Sequence, residues 1–180
     1  MLRWFRNRNN SGAIALELYG SSVAQARLPD FYRAYGIADT FSGRFEVVML
    51  HVGLLLRRVS GAEGADQALG QGVVEEMFRQ LDDDLRELGV GDLTVPKKVQ
   101  AAAGSFYGRL KAVEAALARP DNAELTQVLN RNLTAAEGGQ LQPDAIAGYV
   151  REVVDKLAGQ SLAQLQQGRV TYPQPKEAYR

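Results

Sequence analysis

Residues 41–59, FSGRFEVVMLHVGLLLRRV, decide how this chain folds. Phe41, Phe45, Val48, Met49, Val52, Leu56 and Val59 recur at spacings of three and four. That pattern holds one face of an α-helix for about five turns. Val47, Leu50 and Leu54 lie off the stripe, and a helix that is apolar on more than one side must be covered on more than one side. It therefore belongs at the centre of a bundle, with Asp39 or Thr40 placed to cap it.

Helical spacing continues on both sides. Upstream, Ser11 is placed to cap a helix to about Arg27 carrying Ile14, Leu18 and Val23, and Pro29 opens a short turn with Phe31, Tyr32 and Tyr35 that Gly36 ends. Downstream, Val74, Met77, Phe78, Leu81, Leu85 and Leu88 mark the inward face of an acidic helix whose beginning Gly70 and Gly72 weaken. Val99, Ala103, Phe106, Leu110, Val113 and Leu117 mark the next, which Arg119-Pro120 stops. Asp121 with Glu124 reads as a cap before Leu125, Val128, Leu129 and Leu133. AAEGGQLQP is a loop, and a helix from about Asp144 buries Ile146, Val150, Val153, Val154 and Leu157. A short helix around Leu162 and Leu165 and an extended tail, residues 169–180, complete the chain. No segment alternates like a strand, so the expected fold is all α: one helical domain over residues 11–168, a bundle of six to eight helices, after a basic segment at 1–10.

The 180 residues allow one sizeable core, and with no cysteine, disulfides, thiolate catalysis and cysteine-held metals are excluded. The start, MLRWFRNRNN, lacks the apolar run of a secretory signal, so the chain is expected to stay in the cytoplasm. Trp4 and Phe5 among Arg3, Arg6 and Arg8 have the composition of a contact with an anionic membrane, against the simpler reading of a frayed end. No stretch approaches the roughly 18–20 apolar residues that span a bilayer. Aromatic residues do not interleave with Lys and Arg as a single-strand platform requires, so no specific nucleic acid is expected.

Zero net charge hides segregation: residues 61–95 carry two Lys/Arg against nine Asp/Glu, and 96–120 carry five against one. Asp82, Asp83 and Asp84 fan about 100° apart around a helix and cannot converge on an ion; DDDLRELGVGDL also lacks the ligand alternation of a calcium loop. No nucleophile, histidine partner or oxyanion-forming loop accompanies these carboxylates, so no catalytic residue is assigned. Spacing-four pairs, Glu75–Arg79, Arg79–Asp83 and Asp82–Arg86, account for part of the charge. Asp84 and Glu87 close one helix while Lys97 and Lys98 open the next, each against the helix dipole by about 0.3–1 kcal/mol. A Schellman turn at Gly89-Val90-Gly91, with Val90 packing back, would bring these ends together as a bipolar patch, either a brace or a docking surface.

Two further features stand out. Opposite the core stripe of the helix after the corner lie Ala101, Gly104, Gly108, Ala112 and Ala115, a smooth face for one of the protein's own helices or for a partner helix, kept in water by Lys97, Lys98, Arg109 and Lys111. Arg44, the lone His51 and Arg58 recur every seven residues along one edge of the core helix. They suit an anion or a carboxylate such as Asp82 or Glu87 better than a metal, which the arginines would repel.

The run ELYGSSVAQARLPDFYRAYGIADTFSGRFEVVMLHVGLLLRR, the corner DDDLRELGVGDLTVPKKV and SFYGRLKAV together resemble the ubiquinol–cytochrome c chaperone family, assembly factors of the cytochrome bc1 complex. The resemblance covers about residues 17–117, and its most specific parts are Arg44, Phe45, Glu46 and His51, the stretch from Leu85 to Asp92, and Phe106 to Arg109. It implies an all-helical, non-enzymatic protein, here a bacterial member, without cofactor or metal, that binds newly made cytochrome b or another bc1 subunit at the inner face of the cytoplasmic membrane. A small partner protein and the ribosome are implied as further partners. The partner-binding residues it suggests, together with the corner and the smooth face, are Arg44, Glu46, His51, Asp84, Arg86, Glu87, Asp92, Lys97, Lys98, Gly104, Tyr107, Gly108 and Arg109. Two other readings stand beside it: a small-molecule-binding protein or enzyme using the Arg44/His51/Arg58 edge, and an adaptor unrelated to respiration.

Overall fold

The computed structural model describes residues 2–61 and 66–175, with side chains from residue 11 onward. Among these residues are eight helices and no strand: α1 (Leu2–Ala26), α2 (Asp30–Arg33), α3 (Phe41–Gly61), α4 (Gln67–Glu87), α5 (Val95–Leu117), α6 (Ala123–Asn132), α7 (Pro143–Ala158) and α8 (Leu162–Leu165). The protein is an all-α single domain, as its periodicity requires. Helix α3 is central, packed against α1, α4, α5 and α7; Val47, Val52 and Leu55, on different sides of it, are all fully buried.

Local chemistry sets most helix ends. Asp66 accepts a hydrogen bond from the Leu69 N–H and caps α4 (2.9 Å), and Asp121 accepts from the Ala123 N–H ahead of α6 (3.0 Å). Ser161 and Gln164 form a capping box on α8. Gly70 and Gly72, read as weak points, are where α4 comes close to its neighbours: a Cβ on Gly72 would stand 3.1 Å from that of Ala15.

Two expectations are corrected. Helix α1 begins at Leu2, so Ser11 lies inside it instead of at its cap; the side chains of Arg3, Trp4, Phe5, Arg6 and Arg8 lie outside the described residues. Leu88 points outward, 62% exposed, because the turn that ends α4 rotates it away from the core. The segment after α8, without regular secondary structure over residues 169–175, is tied to α1: the Tyr172 hydroxyl donates to Ser22 Oγ (2.8 Å), whose own proton goes to the Leu18 carbonyl. Gln25 holds the Pro173 carbonyl (2.7 Å). Residues 176–180 lie outside the described residues.

Candidate partner-binding surface

Of the residues singled out in the sequence, Glu46 and His51 are buried. Glu46 accepts from both the N–H and the hydroxyl of Thr134 (2.8 and 3.1 Å) and so ties the segment after α6 to the core helix. His51 Nδ1 lies 2.8 Å from the Val47 carbonyl, which can only accept, so Nδ1 carries the proton and Nε2 accepts from the Tyr149 hydroxyl at 2.7 Å. Tyr149 in turn accepts from Gln25 (3.0 Å), and the rings of Phe31 and Tyr172 stand edge-on to His51. Among the described residues no buried side-chain polar atom lacks a partner.

The Arg44/His51/Arg58 edge is therefore not a continuous surface: His51 is buried in its middle and its polar partners are Val47 and Tyr149, not Asp82 or Glu87. Arg44 pairs with Asp39 and stacks over Tyr32. Arg58 donates to the Leu157 and Gln160 carbonyls at the end of α7 (2.9 and 2.7 Å), where a cation complements the negative end of the helix dipole. The spacing was real, but Tyr149 of α7 and Tyr172 of the tail cover the middle of that face, so His51 shares no open site with Arg44 and Arg58.

Burial pushes the His51 pKa down to about 4 from its ordinary 6.5. The folded state holds the neutral form, so this contribution is intact above pH 6.5 and is lost as the pH falls towards 4, by about 3 kcal/mol in all. Urea denaturation between pH 7 and 4 should show that loss and His51→Gln should flatten it; an unchanged slope in the variant would disprove the assignment.

The corner is a Schellman turn as expected: Gly89 has φ +79°, the Val90 N–H reaches the Leu85 carbonyl (3.0 Å), and the Gly89 N–H reaches that of Arg86 (2.9 Å). Val90 packs with Leu81, Leu85 and Val95 in a small second core. Two of the three expected spacing-four pairs form, Arg79–Asp83 and Asp82–Arg86, and the third does not. Arg79 holds Glu76 and Asp83, not Glu75, and Arg86 bridges Asp82 and Asp92 across the turn. Among the described residues no ion pair joins Asp84 or Glu87 to Lys97 or Lys98. Arg86 is the brace, and the lysine pair is left exposed.

On α5, Arg109 is partly buried and donates to the Asn132 carbonyl at the end of α6 (2.9 Å), while Tyr107 is 48% exposed. The smooth face is open: nothing lies within 4 Å of a Cβ built on Gly104 or Gly108. At these two positions none of the protein's own described helices covers it, while Ala112, assigned to the same face, is half-buried against the main core. On the opposite side of α5, Phe106, Leu110 and Val113 line an apolar cleft of about 40 Å³ with Met49, Gly53 and Leu129.

A larger concavity, about 380 Å³, lies where α1, α3 and α4 meet. Leu16, Tyr19, Val23, Phe41, Phe45 and Val48 line it, and Arg27, Arg44 and Asp84 stand at its rim. Leu16 and Phe41 are 52% and 42% exposed, large apolar side chains facing water from two different helices. Burial and the Asp84 carboxylate push the Tyr19 hydroxyl up to about 12, so it stays neutral. Sequence reasoning picked out Arg44 and Asp84 but missed the groove, placing Phe41 in the core with Phe45, which does pack there; the only signal was an apolar residue, Leu16, off the buried face of α1.

No cluster of His, Cys, Asp or Glu able to hold a metal lies among the described residues of this all-helical domain. Comparison with known proteins places it among the chaperones of respiratory-complex assembly. The chain belongs to the ubiquinol–cytochrome c chaperone family, whose model matches residues 33–172. A crystal structure of the Cbp3 homolog from Brucella abortus superposes with a TM-score of 0.81 at 36% identity, over 96% of each chain. The ubiquinol–cytochrome c reductase complex assembly factor 1 of Mus musculus is 20% identical over 151 residues, 82% of this chain. The chain spans about half the length of that curated relative (51%).

Proposed function

We propose that this assembly factor of the bc1 complex holds newly made cytochrome b, or another bc1 subunit, by an apolar segment laid in the groove between α1, α3 and α4. The observation that carries this reading is the pair of half-exposed side chains, Leu16 and Phe41, on opposite walls of the groove. Apolar anchors entering such a groove contribute most of the energy of an interface, and rim charges such as Arg44 and Asp84 set orientation. In this reading the protein is a binder and not an enzyme, and it works in the cytoplasm at the inner face of the membrane. No helix among the described residues is long and apolar enough to cross one. A small partner protein and the ribosome, implied by the family resemblance, belong to the same proposal.

The test is co-purification from a membrane-containing extract. Leu16→Glu with Phe41→Glu should leave melting unchanged, since both side chains are exposed, and lower the recovery of cytochrome b or bc1 intermediates roughly tenfold or more. Undiminished recovery by the folded double variant would reject the groove; absence of bc1 subunits from the wild-type eluate would reject the function. Ribosomal proteins and any small partner are read from the same eluate.

A further inference from the structure

We infer that the outer face of α5, together with the loop leading into it, is a lipid-contacting surface that seats the protein on an anionic membrane. The inference rests on the assembly-factor reading for its biological setting, but its evidence lies on a different side of the molecule from the groove. Two of the five large apolar side chains exposed among the described residues are here: Leu93 at 88% and Tyr107 at 48%. Helical spacing sets Lys97, Gly104, Gly108, Lys111 and Ala115 on one arc of α5, all exposed.

Charge points the same way. Residues 96–120 carry five basic groups against one acidic. Arg109 is taken by the Asn132 carbonyl and Arg119 by Glu124. Lys97, Lys98 and Lys111 are exposed and in no ion pair among the described residues. The acidic groups nearby offset part of this field: Arg86 is shared between Asp82 and Asp92 and compensates only one of them, and Glu87 and Glu114 are in no ion pair among the described residues, so the three lysines act as a local cluster and not as a large net charge.

Shape decides between a lipid surface and an acidic polypeptide. The smooth face has no walls: no atom lies within 4 Å of a Cβ position on Gly104 or Gly108, and Leu93 stands out from the surface instead of lining a recess. A folded or helical partner needs complementary relief to exclude water, whereas a fluid interface conforms to a convex face. Small residues let the α5 backbone lie low among headgroups, lysines reach the phosphates with their stems along the apolar boundary, and Leu93 enters the acyl edge.

The experiment is flotation of the full chain with vesicles of phosphatidylcholine alone or of an equal mixture with phosphatidylglycerol. Wild-type protein should float with the mixed vesicles and not with phosphatidylcholine alone. Each neutralised lysine should lower partitioning by roughly fivefold, so Lys97→Gln, Lys98→Gln and Lys111→Gln together should lower it by about a hundredfold; Leu93→Ser should lower it about tenfold. Circular dichroism should show these exposed-site variants folded. The inference is overturned if the wild type does not discriminate between the vesicles, if the triple variant floats like wild type, or if only Arg3→Gln, Arg6→Gln and Arg8→Gln reduce flotation. Loss of bc1-subunit capture in detergent by the triple variant, with no wild-type flotation, would reassign the face to an acidic polypeptide. Normal flotation by a wild-type protein that captures no bc1 subunit would sink the functional reading and leave this surface standing.

Discussion

Phe106→Ala should lower the free energy of unfolding by about 3–5 kcal/mol, among the largest single losses available in this protein. The side chain is 2% exposed, stands edge-on to Phe78 with ring centroids 5.9 Å apart, and forms a wall of the apolar cleft between α3, α5 and α6. Truncation would enlarge a space that already exists, and the helices around it, held also by the Arg109–Asn132 hydrogen bond, have little freedom to collapse into it. Urea denaturation measures the effect. A loss below about 1 kcal/mol would mean that α5 is not anchored through this ring.

Gly36→Val should be nearly as damaging for a different reason. Gly36 has φ +73°, and a Cβ placed there would stand 2.2 Å from the Gln140 carbonyl oxygen, an atom of the backbone that cannot rotate away. Left-handed strain costs on the order of 1–3 kcal/mol and the forced displacement about 1–3 kcal/mol more. The displaced segment is the one that Glu46 grips through Thr134, and it carries the Ala136 N–H to the Gly36 carbonyl (2.9 Å) and the Gln142 N–H to that of Tyr35 (3.0 Å). Gly89 is a built-in comparison, with φ +79° but nothing within 4 Å, so Gly89→Ala should lose only about 1 kcal/mol. Thermal melts of the two variants side by side check the argument; equal losses would contradict the close approach at Gly36.

These predictions separate what could be read along the chain from what could not. The stripe through residues 41–59, the stop at Arg119-Pro120 and the Gly89-Val90 turn were legible because each depends on neighbours within a turn or two of helix. The fate of His51 and Glu46 was not. Their partners lie far along the chain, Tyr149 at a separation of 98 residues and Thr134 at 88, in a C-terminal third whose own pattern says only that a helix and a loop exist. Seven-residue spacing correctly put Arg44, His51 and Arg58 on one edge of α3, but whether that edge meets water depends on where α7 docks.

The sequence by itself determined the all-α class, the order and approximate limits of the helices, the turn at the corner and the family, because periodicity, capping and motif spacing are local properties of the chain. Only the tertiary structure decided which charges pair, which small-residue face stays open and where an apolar groove is left. Each of those depends on side chains from helices distant in sequence. The energies that choose among arrangements, a buried carboxylate satisfied by Thr134 or a histidine kept neutral by burial, exist only once the helices have packed.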